Sequence, residues 1–241
     1  WITYNDLLGK QHLSKKFANR VTKLEPSVSA LSLYIATDID VDSLGLDSGN
    51  YWILNNPSVE ATYRFAEQDL IEGDGPFPGA FLTVTTKKDP SKLKNGIHTM
   101  EAFMFKRWKN SKTEERPEGY DAFKQHLIER MLDTVSGVVP GLRDHLVLCE
   151  LGTPLTNVHY VNSYRGNLYA TAKSKKQIGL GALPVETEIT DLYHCGQSTA
   201  AHGVLGALFT GVMAAAKISD KRVKDILAFS DEGKVKLHQS E

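Results

Sequence analysis

Cysteine is scarce in this chain: Cys149 and Cys195 are the two it has. Two cysteines cannot build a disulfide scaffold, and no C-x-x-C pair is present for a zinc ribbon or a thioredoxin-like site. A reducing compartment is the expected setting. The sole N-x-S/T triplet, Asn56-Pro57-Ser58, is disqualified as a glycosylation acceptor by its proline. No secretory signal pattern opens the chain at Trp1. Charge of one sign is not in excess: Lys plus Arg number 28 and Asp plus Glu 29, a net charge of -1 over 241 residues. A near-neutral chain with no long basic run is a poor binder of nucleic acid, which demands many phosphate contacts. The sequence also lacks G-x-S-x-G, G-x-x-x-x-G-K-[ST] and H-E-x-x-H, which argues against a serine hydrolase, a P-loop enzyme and a zincin. Long hydrophobic runs are missing too. Leu192–Ala216 carries no Asp, Glu, Lys or Arg, but its apolar part, Gly203–Ala216, is too short to span a bilayer. It is expected to be a buried helix.

What is present reads as an ordinary globular chain, 41% hydrophobic and 24% charged. A mixed α/β (α+β) fold is expected from the patterning. Residues 1–25 read as a helix or surface segment closed by Pro26. Strands are expected at 29–36, 50–54, 80–86 and 97–105, the last two as antiparallel neighbours, with further short strands at 146–151 and 192–195. Ser58 is a candidate cap for a helix over 58–70. Phe123, Leu127, Ile128, Met131, Leu132 and Val135 fall at helical spacing, which predicts an amphipathic helix over 120–137. Residues 157–165 read as another extended stretch, 203–217 as a helix, and 218–241 as a polar helix and tail.

Some constellations invite a site and fail on inspection. Asp38, Asp40 and Asp42 have the spacing of a calcium loop, but Ser43 and Gly49 stand where Gly and Glu are required, so a solvated turn is expected. His194 and His202 do not share a helix face, so metal ligation is not expected; packing, solvent exposure or a place near a pocket stay open. Cys195, at the end of an apolar segment, reads as a small core residue rather than a nucleophile. Glu150 could act as a base or be merely solvated. The charged loop 106–118 reads as solvated, with contact to anionic lipid heads as the other option.

The segment with most chemical content is TDLYHCGQSTAAHGVLGALFTGVMAAAKI, residues 190–218. A short apolar segment runs into Gly196, then a polar loop, then a long uncharged Gly/Ala-rich helix. A strand-to-helix turn of that kind presents backbone N–H groups and a positive dipole end to an anionic or electron-accepting group. A plain buried helix behind a glycine turn fits the residues equally well.

This stretch resembles the C-terminal flavin motif of the phytoene desaturase, carotenoid isomerase and retinol saturase group of FAD oxidoreductases. The matching residues are Gly196-Gln197-Ser198-Thr199 and Gly203-Val204-Leu205-Gly206-Ala207, and Gln197 stands where Asp is usual. Upstream, Thr153-Pro154-Leu155-Thr156, Tyr160, Arg165-Gly166 and Tyr169 resemble a second segment of the group, with Ala170 in place of its glycine. The order of the 29–35 and 80–86 strands, Trp108 and the 120–137 helix also matches, so the likeness spans roughly residues 28–218.

The resemblance implies a flavoprotein acting on a long apolar polyene such as a carotenoid or retinoid, by desaturation, saturation or isomerisation. Gly196, Gln197, Ser198, Gly203, Val204, Leu205 and Gly206 would bind FAD; Thr153, Pro154, Tyr160 and Tyr169 would bind substrate. Phe103, Phe105, Trp108, Tyr160, Tyr164 and Tyr169 would line an apolar tunnel. Residues 1–150 would form the substrate-binding part, 151–218 the return to a Rossmann-like FAD domain, and 219–241 a tail. No G-x-G-x-x-G occurs, so the dinucleotide-binding N-terminal half is expected on a partner chain or missing segment, with the 203–217 helix presenting Val204, Leu205, Leu208, Val212 and Met213 toward it. A cytoplasmic or plastid location, peripheral to a membrane, would suit such a substrate. The other reading is a non-catalytic relative serving as an interaction subunit.

Overall fold

The computed structural model describes residues 1–67, 73–106, 116 and 118–228. The chain divides into two compact units, one made of residues 1–27 with 169–241 and the other of residues 28–168. The boundary therefore differs from the one expected near 150, and the N-terminal segment groups with the C-terminal one.

The 28–168 unit is built on a five-stranded sheet: β1 (Ala30–Thr37), β2 (Asn50–Leu54), β3 (Gly79–Val84), β4 (His98–Phe105) and β5 (Leu146–Gly152). The spatial order is β2-β3-β4-β1-β5, with every neighbouring pair antiparallel. The strands stand where the two-residue periodicity puts them, apart from the end of β3. There Thr85 and Thr86 turn into a single helical turn, α3 (Thr85–Lys88), because the Thr85 hydroxyl donates to the Thr99 carbonyl at 3.0 Å and draws the chain out of the ladder.

One face of this sheet is the core. Leu31, Leu33 and Ile35 of β1 sit opposite Met104, Ala102 and Met100 of β4, and Leu82 and Val84 of β3 continue the layer. Helix α4 (Tyr120–Val135) covers it with Leu127, Ile128, Met131, Leu132 and Val135, all buried. Each buried large aliphatic contributes about 1.5–3 kcal/mol relative to exposure. Two cations share this interior: Lys106 is fully buried, its Nζ donating to the Phe65 carbonyl at 2.9 Å, and the Arg130 guanidinium lies 4.2 Å from the Phe77 ring centroid. Lys106 is thus not the start of a solvated loop; the remainder of the charged 106–118 segment, and Trp108, fall outside the described residues apart from 116 and 118. Helix α2 (Val59–Glu67) is capped by the Ser58 hydroxyl, which accepts the Ala61 N–H at 3.2 Å.

The expected extended stretch at 157–165 is instead mostly helix. α5 (Pro154–Val161) starts from a capping box in which Thr153 accepts an N3 N–H and Thr156 accepts the Thr153 N–H at 3.0 Å, with proline at the first turn where its missing N–H costs nothing. The T-P-x-T spacing carries that signal in the sequence.

The other unit holds α1 (Lys15–Thr22), capped by the Ser14 hydroxyl, then α6 (Gly203–Ile218) and the short α7 (Val223–Leu227). Ser27 and Glu25 are tied to the start of the returning segment, Ser27 N–H donating to Ala170 and Ala172 N–H to Glu25, both at 2.8 Å. The short strand expected at 192–195 is absent: only Tyr193 bridges, to Glu186. Cys195 is exposed and is not a core residue. No helix among the described residues is long and apolar enough to cross a membrane.

Candidate flavin shelf and apolar cleft

In the 1–27/169–241 unit the glycine loop before α6 is held from below. The Lys173 ammonium donates to the carbonyls of Gln197 (2.9 Å) and Thr199 (3.0 Å), and the Thr171 hydroxyl donates to the Ser198 carbonyl at 3.1 Å. Three successive carbonyls are thereby turned to one side. In a trans peptide the N–H points opposite its carbonyl, so the Ser198 N–H faces away from Lys173. Burial lowers the Lys173 pKa, while the carbonyls that accept from it favour the charged form.

The loop is also tied to the helix behind it. Thr210, fully buried on α6, accepts the Gly196 N–H at 2.8 Å and donates to the Ala207 carbonyl at 2.8 Å. Gly196 has φ 91° and Gly203 φ 79°, and a Cβ at either would meet no atom within 4 Å. Both turns need glycine for their backbone angles, and both leave open space above. Gly206 is different. A Cβ there would come within 2.8 Å of Ala201 backbone, so the close approach it permits is to the preceding loop. His202 caps α6 without a side-chain hydrogen bond, which leaves the first N–H groups of the helix without a side-chain cap. Val204, Leu205 and Leu208 are exposed at this end, whereas Val212 and Met213 are half-buried.

Gly196, Gln197 and Ser198 thus lie in the loop and Gly203, Val204, Leu205 and Gly206 at the start of α6, with Thr210 linking loop to helix. Tyr169 joins it: its ring lies over that of His202, 4.8 Å between centroids and 30° between planes. His194 packs edge-on against Tyr4 at 5.9 Å, and burial, with Lys173 nearby, lowers its pKa and keeps the imidazole neutral. Among the described residues no cluster of His, Cys, Asp or Glu could hold a metal ion. The 38–42 aspartates form a turn, Asp40 accepting the Asp42 and Ser43 N–H groups at 3.1 and 3.2 Å.

Of the other expected substrate residues, Thr153, Pro154 and Tyr160 lie in the 28–168 unit. Thr153 and Pro154 are buried, and the Thr153 hydroxyl pairs with the Tyr120 hydroxyl at 2.7 Å. Their local role is to start α5. Tyr160 is exposed on the same helix. Glu150 sits at the sheet edge paired with Lys124.

The sheet face turned away from α4 carries what the sequence hid. Trp52, Phe81 and Phe103 are cross-strand neighbours on β2, β3 and β4. Ring centroids run Trp52–Phe81 5.3 Å, Phe81–Phe103 4.6 Å and Phe103–Phe105 5.5 Å. Val59, Tyr63 and Ala66 of α2 complete an almost wholly apolar cleft of about 210 Å³. Phe103 and Phe105 were expected to line such a space; Trp52 and Phe81 were not. The alternation at 52/54, 81/83 and 103/105 is the signal that could have found them.

Among curated proteins, the chain is 26% identical over 95% of its length to an all-trans-retinol 13,14-reductase of Danio rerio, of which it covers 40%. It is 25% identical over 91% of its length to a chloroplastic prolycopene isomerase of Daucus carota (34% covered) and 30% identical over 68% to prolycopene isomerase 2 of an Oncidium hybrid (28% covered). The chain belongs to the retinol saturase and carotenoid isomerase group. It spans less than half the length of these members of the group. No protein-family model matches it. A solved oxidoreductase from Methanosarcina mazei superposes with a TM-score of 0.48 at 17% identity, over 88% of this chain and 40% of that one.

Proposed function

We propose that this chain is part of an FAD-dependent oxidoreductase or isomerase that acts on a long apolar polyene. The observation that carries the proposal is the open shelf over Gly196 and Gly203 beside an uncapped helix start, in a chain related to retinol reductases and prolycopene isomerases. The shelf fits a flavin. It offers space where side chains would stand and backbone N–H groups directed outward, in a loop whose carbonyls are already engaged by Lys173 and Thr171.

In this reading Gly196, Gln197 and Ser198 hold the polar part of FAD: the Ser198 backbone N–H is directed to it, Gly196, its own N–H engaged by Thr210, leaves the room, and Gln197 adds an uncharged amide where an aspartate would add negative charge. Gly203, Val204, Leu205 and Gly206 present the helix start, whose positive end favours a reduced, anionic ring. Tyr169 bounds the shelf. FAD, when bound, supplies hydride or electron exchange with a conjugated carbon chain. The aromatic face of the sheet excludes water and holds the polyene, dispersion against the rings and burial of its hydrocarbon providing the affinity. Thr153, Pro154 and Tyr160 serve the substrate side through the scaffold around α5. The pyrophosphate-binding half would come from a partner chain or another segment, because the chain contains no G-x-G-x-x-G. The reading includes an isoprenoid substrate delivered from a membrane surface, and a plastid setting accords with the chloroplastic names of two relatives.

The test is flavin content. Native material containing this chain should show the two visible flavin bands, and Gly203→Val should lower flavin per chain while the fold is retained by circular dichroism. Material that is colourless in its intact assembly, or a variant with full flavin content, would mean that the shelf does not hold the cofactor. The isolated 241-residue chain should bind FAD weakly.

A further inference from the structure

The wall of the apolar cleft opposite the aromatic ladder is a helix with little burial of its own. α2 has nine residues, shorter than an isolated helix needs to persist in water, and Ala66 is its one buried residue. Val59 and Tyr63, which line the cleft, are 51% and 63% exposed. Yet the helix lies close on the sheet. A Cβ on Gly79 would come within 2.7 Å of the Ile53 carbonyl oxygen and 3.3 Å of Thr62 Cγ2, and Gly79 has no positive φ that would call for glycine. Glycine weakens a strand, and here it permits a close approach of helix to sheet.

What fastens α2 sits on its other side. Lys106 follows the last residue of β4, is fully buried, donates from Nζ to the Phe65 carbonyl at 2.9 Å and lies 4.3 Å from the Phe65 ring centroid. Phe65 packs on Phe77, 5.8 Å between centroids, and the Arg130 guanidinium of α4 covers Phe77 at 4.2 Å. Arg130 Nε donates to the Gly75 carbonyl and the Phe77 N–H to the Thr134 hydroxyl, both at 2.8 Å. A stack of cation, ring, ring and cation thus joins the end of β4, α2, residues 75–77 and α4. An apolar side chain at 106 would fill the space without desolvating an ammonium. What the ammonium adds is direction: a bond to one of the last carbonyls of the helix, which the helix itself leaves unsatisfied, and a seat over one ring face.

We infer that Lys106 is a positioning residue for the cleft: it fastens the last turn of α2 and so fixes the wall carried by Val59, Tyr63 and Ala66, keeping the cleft preformed for its ligand. Phe105, which lines the cleft from β4, is its neighbour in the chain, so one residue sets the helix against the end of the aromatic ladder. A site whose wall is in place only part of the time binds more weakly by that fraction, whereas a wall fixed beforehand spares the ligand the cost of ordering it.

This inference rests on the cleft as the polyene site, and the test separates the two. Lys106→Met, which keeps the length and removes the ammonium, is compared with the wild-type full chain. Hydrogen exchange over residues 59–67 is followed by mass spectrometry with and without all-trans-retinol, whose own fluorescence reports its affinity. Lys106→Met should speed exchange in 59–67 by roughly ten-fold or more and weaken retinol by a similar factor, because both report the fraction of chains with the wall in place. Saturating retinol should restore the protection. Phe65→Leu, which keeps the carbonyl and removes the ring, should move both in the same direction by less, and it carries the test if Lys106→Met does not fold. Val135→Ala, a truncation of a buried α4 residue in the same core, controls for general loss of stability and should move neither. Unchanged exchange in Lys106→Met, faster exchange with wild-type retinol affinity, or equal effects from Val135→Ala would overturn the positioning role and leave the cleft standing. If retinol does not bind the wild-type chain, or binds without protecting 59–67, the cleft is not the polyene site and the inference falls with it.

Discussion

Ala170 accepts the Ser27 backbone N–H at 2.8 Å from a φ of 54°, in the left-handed region that glycine enters freely. It stands where the related segment of the group carries glycine. An L-residue there costs about 1–2 kcal/mol, while alanine restrains the unfolded chain and recovers roughly half of that. Ala170→Gly is therefore expected to be neutral or stabilising by up to about 1 kcal/mol, the reverse of its usual sign in a helix. Ala170→Val should be clearly destabilising. Urea midpoints of the three chains check the order.

Gly166 and Gly203 both have positive φ, but they should respond differently to alanine. A Cβ on Gly166 would collide with the backbone carbonyl of Pro154, which cannot move without disturbing the start of α5. A Cβ on Gly203 meets open space. Gly166→Ala should cost about 2–4 kcal/mol, strain and overpacking together, and Gly203→Ala only about 1–2. Equal losses would mean that the Gly203 backbone is held by something other than its φ.

Much of this fold could be read from the sequence because the burial demand is simple. Strands β1 and β4 alternate with period two, and α4 repeats at 3.6, since each has one buried face. A misreading occurs where local hydrogen bonding outweighs periodicity: the Thr153 capping box makes helix of an apparently extended stretch. The flavin motif could be found because glycine spacing is local. The aromatic ladder could not, because Trp52, Phe81 and Phe103 are distant in sequence and meet only through register.

Thr210 joins the glycine loop to α6 through its hydroxyl. Thr210→Val keeps the shape and removes the acceptor of the Gly196 N–H, which would cost about 1–3 kcal/mol. Thr210→Ser should restore the bond and most of the stability. If flavin retention follows the same order in the intact assembly, the loop geometry is what the cofactor reads.

The two thiols should separate by rate. Cys195 is exposed, whereas burial, with Glu129 and Glu150 adding to it, pushes the Cys149 pKa up to about 11. At pH 8 about one part in a thousand of Cys149 is thiolate, the form that reacts. A disulfide reagent should therefore titrate one thiol quickly and the second only on unfolding. The same shift has a stability consequence. The folded pKa is above the ordinary 9.0, so the contribution is intact below pH 9.0 and is lost as pH rises toward 11. Cys149→Ala should flatten that alkaline slope.

Glu101 gives the matching test on the acid side. Its carboxyl is raised from the ordinary 4.5 by desolvation alone, with no cation or donor to offset it. A carboxyl with a raised folded pKa favours the fold while protonated: its contribution is fully present below pH 4.5 and is lost as pH climbs through the folded value. At pH 7 the charged form burdens the sheet face opposite Thr83 and Tyr34. Glu101→Gln keeps the size and removes the charge, so it should raise the melting temperature at pH 7. The gain should shrink as pH falls and vanish below about 4.5, where the wild-type carboxyl is itself neutral. A gain of the same size at both pH values would mean that packing, and not charge, is what the glutamine improves. A loss at pH 7 would mean that the carboxylate has a partner on that face.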